Sequence, residues 1–283
     1  MSQTTETSIL NRPVSAFGRL MYKYFPYRKS VILGNMDKVY GDTISPAAKA
    51  HLAMAFYSHF LKIIAENVRL RFLSDAALQS LVSVEGVDYL LEVAAKGQGV
   101  LVLTGHFGNW EFAPLGGISQ FKQYKGHLHF IRRTLGSKRL ERLLFKRYYD
   151  AGLRVIPKQY ALNKIMDVLE NNHAVVFVLD QHASPVNKDG IVVDFFGKPA
   201  GTYRSLAMIA HYTEVPVVPA ACYREENGRH VLKFYPPLAW IQADSSQAEI
   251  LQNTQNYNHV LEQIILERPE QWWWLHKRWK LKT

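Results

Sequence analysis

The stretch Val100-Leu-Val-Leu-Thr-Gly-His-Phe-Gly-Asn-Trp-Glu111 decides how this chain is read. It opens on an unbroken apolar, partly β-branched run, the composition of a strand buried on both faces. Gly105 and Gly108 then interrupt it and supply the backbone freedom that a tight turn needs. His106 and Glu111 lie five positions apart. On one continuous helix that spacing would set them about 140° apart. They face each other only if His106 sits on the turn and Glu111 opens the next helix. Asn109 suits the N-cap of that helix, and Pro114 requires it to begin late or to kink. A carboxylate bonded to one imidazole nitrogen fixes the tautomer and frees the other nitrogen to take a proton. N–H groups of the Gly105–Asn109 turn, at a positive helix end, suit a developing oxyanion. The competing reading is a histidine satisfied in a turn beside a glutamate that favours a helix start.

The same strand signature recurs at 128–131, 153–156, 174–179, 215–222 and 231–235. Helical patterns at 137–149, 161–171 and 203–212 separate several of these runs. Strands alternating with helices predict an α/β fold, a mixed sheet flanked by helices. Leu52, Phe56, Phe60, Ile63 and Ile64 recur at helical spacing between Pro46 and Leu70 and predict an N-terminal helical layer. Further helices are expected at 87–96 and 247–267, the latter ending before Pro269. With no repeat or Gly/Ser linker, residues 13–283 read as one domain and residues 1–12 as a polar, flexible tail.

The formal net charge of +10 points to an anionic partner such as nucleic acid, a phosphorylated substrate or an acidic membrane face. No apolar run approaches the roughly 18 residues that cross a bilayer. The single cysteine, Cys222, excludes an internal disulfide framework and reads as core. The eleven histidines form no HExxH and no zinc-spaced pairs, so no metal site is expected. There is no G-x-S-x-G elbow, Walker loop or G-x-G-x-x-G, and no nucleic-acid-binding signature.

GHFGNWE at 105–111 resembles the signature of the bacterial lipid A biosynthesis (lauroyl/myristoyl) acyltransferases, within the wider glycerolipid acyltransferase group and its histidine-x4-acid motif. The resemblance extends over most of the chain. RKSVILGN, ending at Asn35, is similar to the family's N-terminal helix. In FIRRTLGSKRLERL, Arg133 falls where the family has a functional arginine, followed by Glu141 and Arg142, with Arg132 the neighbouring choice. VFVLDQHASP, DFFGKPAGT and PEQWWWLHKRWK match three later family segments in order. The resemblance implies acyl transfer from an acyl carrier protein or coenzyme A thioester, with no further cofactor, to a hydroxyl of a membrane glycolipid such as a lipid A precursor. It assigns His106 and Glu111 to catalysis, and Arg133, Asp180 and Gln181 to substrate binding, with Gly108 and Asn109 joining them through the turn. Related branches acylate mannosyl-inositol lipids or serve aryl-polyene clusters. A thioesterase or hydrolase using the same pair on water is the rival enzyme.

Without a nucleophilic serine or cysteine beside His106, direct transfer without a covalent intermediate is expected. The basic residues from Arg132 to Arg147 suit a solvated helix face or the docking of an acidic carrier protein. Phe195 and Phe196, adjacent on an expected loop, suggest an acyl-chain or membrane contact. The ending, with four tryptophans and five basic residues counting His276, suggests peripheral attachment to an anionic membrane surface, expected to be the cytoplasmic face of the inner membrane.

Overall fold

The computed structural model describes residues 2–132, 138–159, 161–187 and 189–281. Its centre is a seven-stranded sheet built from β1 (Val82–Glu85), β2 (Val100–Thr104), β3 (Leu128–Arg132), β4 (Leu153–Pro157), β5 (Ala174–Val178), β8 (Val217–Arg224) and β9 (His230–Phe234), in the order β1-β9-β8-β2-β5-β3-β4. The block from β8 to β4 is parallel. β9 runs antiparallel to β8, and β1 runs parallel to β9. The fold is α/β, and all six of the apolar runs are strands.

Alternation along the buried strands feeds two cores. Leu101, Leu103, Val175 and Phe177 face one layer, formed by α3 (Lys29–Tyr40), α4 (Pro46–Arg69), α9 (Ala161–Glu170), α10 (Ser205–Thr213) and α11 (Ser246–Glu267). Val100, Val102, Ala174 and Val176 face the other, formed by α5 (Asp75–Ser80), α6 (Val87–Ala95), α7 (Phe112–Gly117) and α8 (Lys138–Ala151). This is the period-2 consequence of a pleated strand covered on both sides. Local chemistry starts the long helices: Ser45 caps α4 through the Ala48 N–H with Pro46 just inside, and Ser245 caps α11 through Ala248.

The N-terminal layer extends further than the sequence pattern. α1 (Ser2–Leu10) is helical with Ile9 buried in the core, where residues 1–12 had read as a flexible tail. α2 (Ala16–Tyr24) crosses α4 closely, since any side chain at Gly18 would meet Ser58 and the Met54 carbonyl. The segment expected to be a phenylalanine-bearing loop is an antiparallel hairpin, β6 (Gly190–Phe195) and β7 (Lys198–Tyr203). Phe196 and Gly197 form its turn with φ of 53° and 65°, the signs that a two-residue hairpin turn matched to strand twist requires. Phe195 is fully buried against Trp272 and Trp279 and is therefore core.

The tryptophan-rich ending is also interior. Trp272 and Trp274 are buried and pack on each other edge to face. Arg278 is buried as well and donates to the Gly201 carbonyl and the Thr202 hydroxyl. Large rings and a guanidinium with fixed acceptors close the domain here, while Lys277 and Lys280 are exposed. Among the described residues, no helix is long and apolar enough to cross a membrane.

Candidate active site

β2 and β5 are adjacent and parallel, with Thr104 paired to Val178, and both chains turn away from the sheet just beyond these residues. That is the carboxyl edge of the strands, where α/β proteins place their functional groups. His106 leaves β2 there and Asp180 leaves β5. His106 Nδ1 lies 2.8 Å from Asp180 Oδ1, and the His106 backbone N–H donates to Asp180 Oδ2 at 2.9 Å. The Trp272 indole N–H donates to the same Oδ2 at 2.9 Å. Asp180 is 3% exposed, so the carboxylate has left water and depends on these three donors. Burial alone would raise its pKa, but the His106 charge and the hydrogen bonds hold it down, to about 2. Burial likewise lowers the His106 pKa; Asp180, with a smaller contribution from Glu111, outweighs this and leaves it raised. An ionised Asp180 accepting at Nδ1 fixes the proton there and leaves Nε2 as the basic nitrogen. Gln181 places its side-chain Nε2 3.4 Å from that nitrogen. Trp110 meets the His106 ring edge to face at 4.9 Å and is itself braced by Trp273.

Glu111 is not the partner of His106. It precedes α7, as the spacing required, but its carboxylate accepts from the Tyr148 hydroxyl and lies 3.6 Å from Arg132 Nη1. α7 starts at Phe112, which puts Pro114 among the first residues, whose N–H groups have no intrahelical acceptor anyway. The Asn109 side chain accepts from the Glu111 and Phe112 N–H groups, the capping role expected of it. Asn109 and Gly108 are nonetheless buried. Gly108 has φ +53°, and a Cβ there would sit 2.5 Å from the Cys222 carbonyl oxygen. Its N–H donates to the Gln271 carbonyl, the His106 N–H to Asp180 and the Phe107 N–H to Gly105. Three N–H groups expected to face an oxyanion are thus already committed. Arg133 lies outside the described residues, as do the side chains of Glu141 and Arg142.

A cavity of about 270 Å³ opens from His106 along the sheet face. Val102, Leu128, Phe130, Val176, Ala220 and Leu232 line it, together with the polar residues Thr104, His106, Glu111, Arg132 and Tyr148. Cys222 lines it too, but burial pushes the thiol up to about 12, so no thiolate nucleophile forms near neutral pH. A larger hollow of about 850 Å³ lies behind the turn, bounded by Arg12, His59, Lys62 and Arg224; neither His106 nor Asp180 lines it. Among the described residues, no cluster of three or more His, Cys, Asp or Glu has the geometry of a metal site.

Sequence reasoning missed Tyr148, Trp272 as a ligand of Asp180, and the pairing of His106 with Asp180 across 74 residues. The available signal was positional: both residues follow apolar strand runs, and neighbouring parallel strands bring such termini together.

A histidine held by a buried carboxylate thus stands at the carboxyl edge of an α/β sheet and lines an apolar cavity. The bacterial lipid A biosynthesis acyltransferase model matches residues 4–281, and the chain belongs to that family. A phosphatidylinositol mannoside acyltransferase of Mycobacterium tuberculosis is 24% identical over 202 residues, covering 69% of this chain and 58% of the relative's length. The lipid A biosynthesis lauroyltransferase of Escherichia coli K12 is 20% identical over 97% of this chain and 86% of its own. The crystal structure of a 1-acyl-sn-glycerophosphate acyltransferase from Thermotoga maritima aligns with a TM-score of 0.40 and 18% identity, over 95% of this chain and 99% of that one.

Proposed function

We propose that the chain transfers a fatty acyl group from an acyl carrier protein or coenzyme A thioester to a hydroxyl of a membrane glycolipid, with His106 as general base and no covalent enzyme intermediate. One observation carries the reading: the nitrogen of His106 that Asp180 leaves free lies at the mouth of an apolar cavity. The acceptor hydroxyl gives its proton to Nε2 as its oxygen attacks the thioester carbonyl. The tetrahedral intermediate then collapses, the C–S bond breaks, and the departing thiolate takes the proton back from Nε2. Asp180 stays ionised and stabilises the imidazolium between these steps. Gln181, 3.4 Å from Nε2, and Arg132, in the cavity wall, replace the turn N–H groups as oxyanion ligands. Arg133 keeps its proposed role toward a phosphate of donor or acceptor. No metal or cofactor takes part, so chelator treatment leaves turnover unchanged.

The family and the names of the two relatives support a lipid A precursor or a mannosyl-inositol lipid as acceptor. Peripheral docking on the cytoplasmic face of a membrane is supported by a different surface from the tryptophan ending. Phe17, Phe25 and Phe72 are 72%, 68% and 82% exposed, and Arg19, Lys23 and Arg28 are exposed among the first two. Apolar rings flanked by cations suit the boundary of an anionic bilayer.

The test is lipid mass spectrometry of cells carrying the native gene or His106→Ala. Loss of one acyl chain from one lipid species in the variant is the expected result. An unchanged lipid profile with the variant protein folded removes the proposal. Release of free fatty acid without acylated lipid from the purified protein supports the hydrolase instead.

A further inference from the structure

We infer that His59, Glu66 and Arg224 are positioning residues, which fix the Gly108 carbonyl and the Asn109 carboxamide and through them the placement of His106. This rests on the proposed role of His106 as base. None of the three is part of the cavity wall or contacts the His106 ring; they lie behind the turn. His59 and Glu66 are seven residues apart on α4, hence on one face of it. Arg224 ends β8.

The network has a single consistent proton arrangement. Arg224 Nη1 lies 2.8 Å from His59 Nδ1, and a guanidinium can only donate, so Nδ1 is the acceptor. The ring proton is therefore on Nε2, which donates to the Gly108 carbonyl at 3.3 Å. Burial, reinforced by the Arg224 charge, lowers the His59 pKa to about 3 and keeps the ring in this neutral form. Glu66 accepts from Arg224 Nε at 2.7 Å and from Arg224 Nη2, and it accepts the Asn109 Nδ2–H at 2.9 Å. Burial would raise its pKa, but His230 and Arg224 hold it down to about 2, so a half-buried anion faces a buried cation.

The other side of the turn is held independently. Gln271 accepts the Gly108 N–H through its carbonyl at 2.9 Å, and its side chain brackets the Arg224 backbone with two bonds of 2.8 Å. The Trp273 N–H donates to the His106 carbonyl at 3.1 Å. The turn is thus clamped between a strand-like C-terminal segment and the α4 face. Loss of the α4 clamp leaves the C-terminal one in place, so the domain keeps its fold while the turn gains freedom. A displacement of about 1 Å at a catalytic group is enough to cost on the order of 10²-fold in rate.

His59→Phe removes both bonds of the ring, whereas His59→Gln retains an acceptor for Arg224 and a donor for Gly108. Two readouts are taken on the purified full chain: kcat and KM for an acyl thioester, and the low-field proton resonance of His106 Nδ1–H, assigned by its loss in His106→Ala. The expected result is a kcat fall of about ten- to a hundredfold in His59→Phe with KM within twofold. The His106 resonance shifts in the same variant, and both readouts return in His59→Gln. An unchanged kcat, a kcat fall with an unmoved resonance, or failure of glutamine to rescue overturns the inference. If His59→Phe does not fold, Glu66→Gln is judged by the same two readouts. The resonance reports the His106–Asp180 bond whatever the reaction, so a wrong function and a wrong positioning role give different results.

Discussion

Replacing Asp180 with asparagine exchanges one carboxylate oxygen for an amide nitrogen at almost constant volume, in a place where three donors depend on the carboxylate. Asp180 accepts the His106 Nδ1–H on Oδ1, and the His106 backbone and Trp272 indole N–H groups on Oδ2. Asparagine has one oxygen with two acceptor sites and an NH₂ that only donates. Placing that oxygen where Oδ2 was satisfies two buried donors. The NH₂ then faces His106 Nδ1 and forces that nitrogen to accept, which moves the ring proton to Nε2. The basic nitrogen disappears from the cavity, although the fold is intact. The same tautomer reversal in the serine protease triad costs about 10⁴ in kcat, or roughly 5.5 kcal/mol at 1.36 kcal/mol per tenfold. The expected loss in Asp180→Asn is therefore about 10³- to 10⁴-fold in kcat, with little change in KM. The pH profile moves as well. In the native protein the neutral base forms only above a pKa raised over the ordinary histidine value, so activity climbs with pH through that point. Without the Asp180 charge, burial dominates and the acidic limb of any residual activity moves to lower pH. Thiol release from an acyl thioester, followed from pH 5 to 9 with acceptor lipid present, measures both. Residual kcat within threefold of native, or an unmoved acidic limb, refutes the reasoning.

Glu111→Gln should cost less than tenfold in kcat, because its carboxylate binds Tyr148 and Arg132 rather than His106; the same thiol-release assay checks it. Ala220→Phe should obstruct the cavity and shift preference to shorter chains, each methylene excluded being worth about 0.8 kcal/mol, or roughly fourfold in kcat/KM across a thioester series. His129 stacks beside His173, and its pKa is lowered to about 4 by burial first and then by the His173 and Arg154 charges. Its unfolded value is about 6.5, so the unfolded chain binds the extra proton between those limits, and stability falls as pH drops from about 6.5 to 4. Thermal melts across that window should show a decline that His129→Phe makes shallower, with His59 supplying part of the remainder.

The parallel block of the sheet was legible because its central strands, β2 and β5, are near-continuous apolar runs, and a strand buried on both faces cannot disguise that pattern. β1, Val-Ser-Val-Glu, escaped because an edge strand is short and half polar. The β6–β7 hairpin escaped because its glycines and proline read as a loop, while its register depends on the turn at Phe196 and Gly197. His106 and Asp180 were both named from sequence, yet Glu111 was given the role of His106's carboxylate because it is near in sequence. Sheet order decides otherwise: β2 and β5 are neighbours, and no local pattern encodes that adjacency. The interior contacts of the tryptophan ending were missed for a related reason. Trp and Lys/Arg suit a membrane surface by composition, but Trp272 is held by Asp180 and Arg278 by Gly201 and Thr202, contacts that exist only after folding. His59, Glu66 and Arg224 carried no visible signal, since polar residues on a long helix and at a strand end are ordinarily solvent-facing.

The most direct measurement combines product analysis with intact-protein mass on one sample of the purified protein and an acyl thioester, with and without glycolipid acceptor. Direct transfer by the His106–Asp180 pair predicts thiol release only when acceptor is present, one acylated lipid per thiol released, and an unmodified protein mass throughout. Thiol release with free fatty acid in the absence of acceptor, or a protein mass increased by one acyl group, contradicts it.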